Sequence, residues 1–503
     1  MSTLTRIAKI YRVEAMLALG AIAVCILFGC TQQYFLDGHT AGVRGLLSPP
    51  LDDVYIHCQF AHNLLSGGPY GFANSVPLTA DTSPLWVVLI AIGGLFTSRL
   101  ELVAIVLSMI CFAIIPIGIY RTARDLFGLE QQLSILAGAL AILTGRIAWS
   151  GMSGMETALA ALLMLLAVEE HLRSRRTACI RAREAIWLGL GVLTRPEFIF
   201  VASVFAIDWI VASVREHPNV KAAPIVVLTF VAISSPAILL PIVTRGSLLF
   251  HSSVVQGAHA SLVPNVLYLW FVLKIMIANN IILLALAGYG VWKCAKDARI
   301  ALLLIIIIGL PLAQAFVAPQ FRHHGRYMFP VLPLIPLVAV SMLAVIAPRM
   351  STPANRIVMA VIIFASLVET YRWSRISAES VRNINDQHLM AVDWLRQNMR
   401  PTDTLAVQDV GAIGYFLDKP VIDLTGLVTP SIWPVQHDQD SVWRAARKMG
   451  ANLFVIYNRL NPTYFLQHSD SLVLATEFRV RLPLASSADT VMSVYRLKET
   501  RHG

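Results

Sequence analysis

Charged residues are scarce in this chain of 503 residues: they make up 14% of it, whereas hydrophobic residues make up 56%. With a mean hydropathy of +0.65, this composition excludes an ordinary soluble protein and indicates an integral membrane protein. The net charge of +10 does not indicate nucleic-acid binding, because the Lys and Arg residues cluster between apolar segments. The chain also lacks internal repeats and low-complexity tracts.

Cysteine is rare as well, with six residues and no spacing typical of a metal site. Most of them lie in or beside apolar runs, as small membrane residues do. Cys30 and Cys58 are both expected outside the membrane, so a disulfide between them is an open alternative. Arg6, Lys9 and Arg12 precede an apolar run that resembles a signal peptide. We favour an uncleaved first transmembrane helix, since many more apolar segments follow.

The apolar segments predict a polytopic α-helical membrane protein with about eleven transmembrane helices, each near the length that a bilayer core requires. They lie near residues 13–30, 100–120, 132–150, 156–171, 184–195, 197–213, 222–243, 265–291, 300–318, 328–347 and 354–373.

Basic residues between these segments fall on one side of the membrane if the first segment crosses outward from the cytoplasm. This requires the short apolar stretch 84–96 to lie along the external surface. The N-terminus is then cytoplasmic, and a first loop (31–99), several turns and everything after about residue 374 are external. The prediction is therefore a multi-pass protein of a bacterial inner (plasma) membrane.

The chain is expected to form two domains, a transmembrane domain over 1–375 and an extracytoplasmic α/β domain over 376–503. Within the second domain, alternating polar and apolar runs predict strands at 404–408, 421–424 and 453–457 and a helix at 441–449. Asp409 and Asp423 lie at the ends of strands, a position that suits binding, with turn capping as the alternative.

Adjacent carboxylates at Asp52 and Asp53 are the most informative feature of the first external loop, because carboxylates are costly to desolvate. Apolar residues recur at helical spacing after them, and Gly67-Gly68 ends the run. The two aspartates therefore stand at the N-terminus of a short helix, where the helix dipole favours negative charge. An N-cap is the alternative structural interpretation.

The motifs resemble the GT-C superfamily of polyprenyl-phosphate-dependent glycosyltransferases. Asp53-Val54-Tyr55 followed by Ser66-Gly67-Gly68 reproduces the Asp-x-Tyr hallmark of that superfamily, and the resemblance covers nearly the whole chain. It is nearest to the branch of mycobacterial AftB-type arabinofuranosyltransferases. Further matching motifs are 52–56, 82–86, 154–157, 193–197, 326–330, 409–415 and 423–427.

Two loops depart from the pattern of that branch. Thr79-Ala80-Asp81 replaces a Glu-Gly pair, and Leu248–Ser253 replaces a stretch that usually carries Pro-Asn-Thr. Both loops are expected to shape the substrate pocket, with Asp81 and His251 as candidate substrate-binding residues. The transferred sugar therefore need not be arabinofuranose.

The resemblance implies that Asp53 is the general base, because it occupies the Asp-x-Tyr position. Asp52 would orient it, bind a sugar hydroxyl or bind a metal, and the reverse assignment is equally open. A divalent cation bound by Asp52 and Asp53 is a further alternative, although no full set of oxygen ligands is evident.

The leaving phosphate needs cationic partners, and the external turn 321–327 is rich in them. Contact with phospholipid headgroups is the alternative for these groups, and pairing with Glu197 is the alternative for Arg195. The candidate phosphate-binding residues are Arg322, His323, His324, Arg326 and Arg195.

Three more residues are candidates for substrate contact. Glu156 begins a span and would bind acceptor or metal, or only stabilise a helix N-terminus. Tyr55 belongs to the hallmark motif, and His57 lies on the Asp53 face of the helix.

The expected function is transfer of a sugar from a polyprenyl-phosphate donor to an envelope glycan or glycolipid. The partners are thus donor, acceptor and membrane lipid. Two rivals are a flippase for lipid-linked sugars, which predicts polar groups inside the spans, and a non-catalytic glycan-binding relative. Asp208 is the clearest intramembrane acid, and the intact Asp52-Asp53 pair disfavours a non-catalytic protein.

Overall fold

A computed structural model describes residues 3–36, 47–72, 80–216, 218–245, 261–294, 297–317, 319–321, 323–349, 351–457, 471–482 and 488–498. Helices dominate up to residue 398. They are α1 (Thr3–Leu36), α2 (Asp53–Leu65), α3 (Pro84–Gly94), α4 (Leu100–Asp125), α5 (Gln131–Ile142), α6 (Gly145–Met152), α7 (Thr157–Arg176), α8 (Ala182–Thr194), α9 (Phe198–Arg215), α10 (Ala223–Arg245), α11 (Val266–Cys294), α12 (Ala298–Val317), α13 (Leu334–Ile346), α14 (Thr352–Asn383) and α15 (Met390–Asn398). A 3₁₀ segment, His323–Val331, precedes α13.

Within the described residues, six helices are long and apolar enough to cross a membrane, or up to nine if each bent pair counts as one span. In the bent pairs the two helical segments meet at a large angle: α5 and α6 at 57°, and the two halves of α11 at 107° after Asn279. The polytopic membrane protein is thus confirmed, whereas the count of about eleven spans stays a prediction. The predicted span at 184–195 is the 13-residue helix α8, shorter than a bilayer core requires.

The first loop contains the two helices that the sequence predicts. Helix α2 begins at Asp53 and ends at Leu65, and the chain turns at Gly67 with a φ of +77°. Helix α3 is short and apolar, with Pro84 in its first turn. The Trp86 indole of α3 donates a hydrogen bond to the Gly154 carbonyl at 3.1 Å, which fixes α3 against the turn before α7.

A five-stranded sheet forms the C-terminal region, in the order β2-β1-β3-β5-β4. Strands β1, β2 and β3 are parallel, and β5 is antiparallel to both β3 and β4. The three predicted strands and the predicted helix are confirmed, while β4 and β5 were not predicted. The elements are β1 (Leu405–Val407), α16 (Gly411–Leu417), β2 (Ile422–Asp423), α17 (Gln439–Lys448), β3 (Leu453–Tyr457), β4 (Leu472–Arg479) and β5 (Val491–Leu497).

The C-terminal region packs directly on the first loop. The Tyr55 ring of α2 lies 5.9 Å from the Tyr415 ring and 5.2 Å from the Phe416 ring, both on α16. Helix α14 runs across the predicted domain boundary at residue 375 and ends at Asn383, whose amide donates to the Leu482 carbonyl at 2.9 Å. The boundary itself stays a prediction.

Candidate active site

A cavity of about 420 Å³ lies where the first loop meets the turns before α7, α9 and α13. Its lining has a polar part, called the polar end below, and an apolar part. The polar residues at the cavity are Asp53, His57, Asp81, Thr82, Ser83, Glu156, Arg195, Glu197, Gln314, Gln320, Arg326 and Tyr327. The apolar wall comes mainly from α9 and α12 and includes Ile199, Phe200, Leu310, Ala313 and Val317.

Asp53 faces this cavity and is paired with Arg326. The distance between Asp53 Oδ2 and Arg326 Nη1 is 2.8 Å, and the Arg326 side chain is 8% exposed. Asp53 is the first residue of α2, so its carboxylate lies at the positive end of the helix dipole. The side chain remains 27% exposed, which leaves it accessible to a ligand in the cavity.

Asp52 turns away from the cavity. Its two carboxylate oxygens accept hydrogen bonds from the backbone amides of Gly411 and Ala412, both at 2.7 Å. Gly411 is required there, because a Cβ at this position would lie 2.2 Å from the Asp52 carbonyl oxygen. Asp52 therefore joins the first loop to the C-terminal region and is not among the residues that line the cavity, while its expected roles beside Asp53 stay predictions.

Three groups surround Asp52 within the C-terminal region. His388 Nε2 lies 3.9 Å from Asp52 Oδ1 and 2.9 Å from Asp409 Oδ2. The Tyr457 hydroxyl donates to the same Asp409 oxygen at 3.1 Å. Burial, reinforced by Asp409, raises the pKa of Asp52 to about 7, whereas His388 and the Ala412 amide lower it. The opposite holds for Asp409, whose pKa the His388 hydrogen bond lowers despite burial.

A metal would find ligand atoms at Asp52, His388 and Asp409 rather than at the Asp52-Asp53 pair. One atom of each residue lies within 4.8 Å of the others. These atoms already have protein partners, namely the two amides at Asp52 and the contact between His388 and Asp409. Asp53 is held by Arg326 instead. The residues therefore do not fit the expected cation at Asp52 and Asp53, and no chemical step is assigned to one.

A continuous row of buried charges lines the polar end of the cavity. His57 Nδ1 contacts the Asp81 carboxylate, and His57 Nε2 lies 3.2 Å from Glu156 Oε2. Glu156 Oε1 accepts a hydrogen bond from Arg195 Nη1 at 2.7 Å, and Glu197 accepts one from Arg195 Nε at 3.0 Å. The expected pairing of Arg195 with Glu197 is thus present, and Arg195 also borders the cavity, whereas its binding of a donor phosphate stays a prediction.

The alternation of sign sets the protonation states in this row. Burial lowers the pKa of His57, but Asp81 and Glu156 outweigh it and raise that pKa to about 10, so His57 is a cation at neutral pH. Burial raises the pKa of Glu156, but His57 and Arg195 outweigh it and lower that pKa to about 2. His57 and Glu156 are therefore both ionised at neutral pH.

Local backbone geometry brings these side chains to the cavity. The Gly154 φ of +71° turns the chain into α7 just before Glu156, and a Cβ there would lie 3.1 Å from Val54 Cγ1. Gly325 has a φ of +75° and immediately precedes Arg326. The guanidinium carbons of Arg195 and Arg326 lie 4.6 Å and 5.4 Å from the centre of the Tyr327 ring, which places both cations on one aromatic side chain.

Two expected site residues lie elsewhere. Tyr55 is buried between α2 and α16, where aromatic packing rather than substrate surrounds it. His324 packs against the rings of Trp149 and Trp373, with ring centres 5.6 Å and 5.3 Å away. On α2, Asp53 and His57 reach the cavity because successive helical residues point in different directions. At His324 and Gly325 the backbone is left-handed instead, with φ of 58° and 75°, and this redirects the chain before Arg326. Arg322, His251 and the His323 side chain lie outside the described residues.

Several cavity residues were not predicted as site residues. Glu197 and Tyr327 lie inside the motifs 193–197 and 326–330, so the motifs were a signal that could have found them. Gln314 lies in an apolar span, where a polar residue is itself a signal, and it accepts a hydrogen bond from the Tyr268 hydroxyl at 2.6 Å. Leu427 reaches the cavity from the C-terminal region and lies inside the motif 423–427, which was a signal as well.

Comparison with known proteins gives two matches in sequence. Residues 381–495 match a family model described as a domain of unknown function, DUF8728. A terminal beta-(1->2)-arabinofuranosyltransferase of Mycobacterium tuberculosis is 28% identical over 216 residues, which are 40% of this chain. The matched part spans about a third of that relative's length, 32%.

Solved structures with a similar fold cover nearly the whole chain. ArnT from Cupriavidus metallidurans in the apo state has a TM-score of 0.62 at 13% identity, covering 94% of this chain and 96% of that chain. The same protein bound to undecaprenyl phosphate gives 0.60 at 12% identity, with coverages of 94% and 97%. The Archaeoglobus fulgidus oligosaccharyltransferase AglB, in complex with an inhibitory peptide and a dolichol-phosphate, gives 0.56 at 13% identity, covering 88% of this chain and 70% of that chain.

The chain therefore has the fold of the GT-C glycosyltransferases, and the expected resemblance is confirmed at the level of the fold. In sequence, part of the chain is similar to an arabinofuranosyltransferase.

Replacing Asp52 by Asn is expected to loosen the C-terminal region. The amide nitrogen would face a backbone N–H, so one buried hydrogen bond is lost at a cost of about 1–3 kcal/mol. Hydrogen exchange of the amides in α16 should rise, and the thermal midpoint should fall. Asp53→Asn is the matched control, because its side chain faces the cavity. Unchanged exchange in Asp52→Asn would contradict this role.

The ion pairs of His57 predict a pH dependence of stability. Below the ordinary His pKa of 6.5 both folded and unfolded chains are protonated at His57, and the pairs contribute fully. Between pH 6.5 and about 10 only the folded state keeps the proton, so stability falls across this window. His57→Gln should lower the thermal midpoint at pH 6.5 and flatten this decline. His62→Gln, at a half-buried position of α2, should keep the wild-type profile; a decline that persists in His57→Gln would refute the assignment.

Proposed function

We propose that this chain is a membrane glycosyltransferase that transfers a sugar from a polyprenyl-phosphate donor to a cell-envelope glycan or glycolipid. Asp53 is the general base, and Arg326 with Arg195 receives the donor phosphate. The reaction inverts the anomeric centre. Arabinofuranose is the specific sugar that the sequence relative favours.

One observation carries this proposal, the polarity of the cavity. Its polar end holds a carboxylate beside two guanidinium groups, as an acceptor hydroxyl and a donor phosphate require. Its apolar wall includes Ile199 and Val317, which are 53% and 51% exposed on helices apolar enough to span a membrane. Such a cavity fits an amphiphile whose tail lies in lipid and whose phosphate lies at the arginines.

The chemistry needs one base and one anion site. Asp53 accepts the proton of the acceptor hydroxyl while that oxygen bonds to the anomeric carbon. The bond between the anomeric carbon and the phosphate oxygen breaks, and the lipid phosphate leaves with the electron pair. Arg326 stabilises the negative charge that this oxygen gains. The leaving phosphate needs no proton, so a single carboxylate suffices.

The solved neighbours support a lipid phosphate as the ligand class, since one is bound to undecaprenyl phosphate and another to a dolichol-phosphate. The positive-inside rule supports a cytoplasmic N-terminus with the site on the outer face of a bacterial plasma membrane. The C-terminal region would then meet the acceptor, because Leu427 borders the cavity beside the polar end.

Asp53→Asn is expected to lower sugar transfer by about 10²–10⁴-fold, the typical contribution of a general base. Purified protein in lipid would be assayed with radiolabelled polyprenyl-phosphate sugars and envelope acceptor. Asp440→Asn is the control, since this carboxylate pairs with Arg444 on α17 and does not line the cavity. Full activity of the Asp53→Asn variant would show that Asp53 is not the general base. Binding of donor with movement across the bilayer but no transfer would favour the flippase instead.

The apolar wall gives a second prediction. Ile199→Trp should narrow the lipid side of the cavity, raising the KM for the donor several-fold while leaving kcat within about twofold, because the reacting groups are untouched. Ile207→Trp is the matched control, since Ile207 is 60% exposed on the same helix but lies outside the cavity. Equal effects of the two substitutions would show that the tail does not pass Ile199.

A further inference from the structure

Arg326 differs from the other cations of the described cavity lining in the number of carboxylates that pair with it, one rather than two. In the part of the chain that the structure describes, Asp53 is the one carboxylate within ion-pair distance of it. The residue is only 7% exposed, and its Nε atom is buried there without a hydrogen-bond partner. A buried N–H that donates to nothing is costly, so this atom is suited to an incoming acceptor.

The other two cations are already held on two sides. Arg195 donates to Glu156 and to Glu197. His57 lies between Asp81 and Glu156. An anion that enters the cavity would compete with two close carboxylates at each of these cations, whereas at Arg326 it meets an Nε–H without a hydrogen-bond partner and one ion-paired carboxylate, Asp53.

The charges of the described cavity lining also bear on this competition. Four carboxylates face three cations, which gives one uncompensated negative charge before any donor binds; the residues are Asp53, Asp81, Glu156 and Glu197 against His57, Arg195 and Arg326. A phosphate adds at least one further negative charge. In a site screened from water, two anions near one guanidinium weaken each other's attraction to it.

We propose that Asp53 and the donor phosphate share the single guanidinium of Arg326, so that donor binding releases Asp53 to act as the base. This rests on the proposed function. In the empty cavity Arg326 neutralises Asp53 and restrains it. When the phosphate takes the Nε–H and part of the charge, the hold on Asp53 weakens. The base is therefore available only after the donor is in place.

Sharing one cation makes the two sites energetically coupled, and the coupling is reciprocal. If the phosphate weakens the pair between Arg326 and Asp53, then removing the Asp53 charge must strengthen phosphate binding. This gain must disappear when Arg326 is absent. A long-range charge effect would instead persist, since it does not pass through the guanidinium.

The test is a double-mutant cycle on the dissociation constant of undecaprenyl phosphate, measured with protein in nanodiscs. Asp53→Asn should tighten binding about tenfold in the presence of Arg326 and less than about twofold in the Arg326→Gln background. Glu197→Gln is the matched control, because it removes the same charge from a carboxylate that pairs with Arg195. Its effect should be the same in both backgrounds.

If Arg326→Gln does not fold, the two single variants Asp53→Asn and Glu197→Gln still test the proposal. Asp53→Asn should then tighten binding at least several-fold more than Glu197→Gln does, and equal tightening overturns the proposal. The proposal is also overturned if Asp53→Asn tightens binding equally in both backgrounds. In that case the proposed function still stands, because the protein binds the lipid phosphate. If no variant and no wild type binds the lipid phosphate, the proposed function fails together with this inference.

Discussion

Charge buried beside a membrane must be neutralised by charge of the opposite sign, and the polar end of the cavity is built on this constraint. His57 and Arg195 each lie between two carboxylates, so the signs alternate along the row from Asp81 to Glu197. The row joins α2, the start of α3, the start of α7 and the turn between α8 and α9. The same contacts that keep the charges ionised therefore hold four chain segments around one cavity.

The two adjacent aspartates divide the work between structure and chemistry. The carboxylate of Asp52 accepts hydrogen bonds from two backbone amides of the C-terminal region, whereas Asp53 faces the cavity and forms an ion pair that a ligand is able to reach. This arrangement links the carboxylate of Asp53, the proposed base, to the C-terminal region through a single peptide unit. A displacement of α16 would consequently move Asp53, so the C-terminal region contributes to the geometry of the candidate site.

The cavity also explains why a chain with so few charges concentrates them here. The proposed amphiphilic donor would need an apolar wall open to lipid and a polar end closed to it, and residues of α9 and α12 form the apolar wall. Arg326 is placed where the two requirements meet. It is next to Tyr327, it pairs with Asp53, and its Nε atom remains available for an acceptor.

Local patterns in the sequence determined the apolar helices, α2 after the aspartate pair, the three parallel strands, and Asp53, Glu156, Arg195 and Arg326 as residues to expect together. Periodicity and motifs are local, so they carry this much. They do not determine which distant residues a side chain contacts. Asp52 accepts a hydrogen bond from an amide 359 residues away. His324 packs against Trp149 and Trp373, whereas Arg326, two residues further on, pairs with Asp53. Only the tertiary structure decided these, because a side chain's partner depends on which distant segments the fold brings beside it and on the direction in which the local backbone points it.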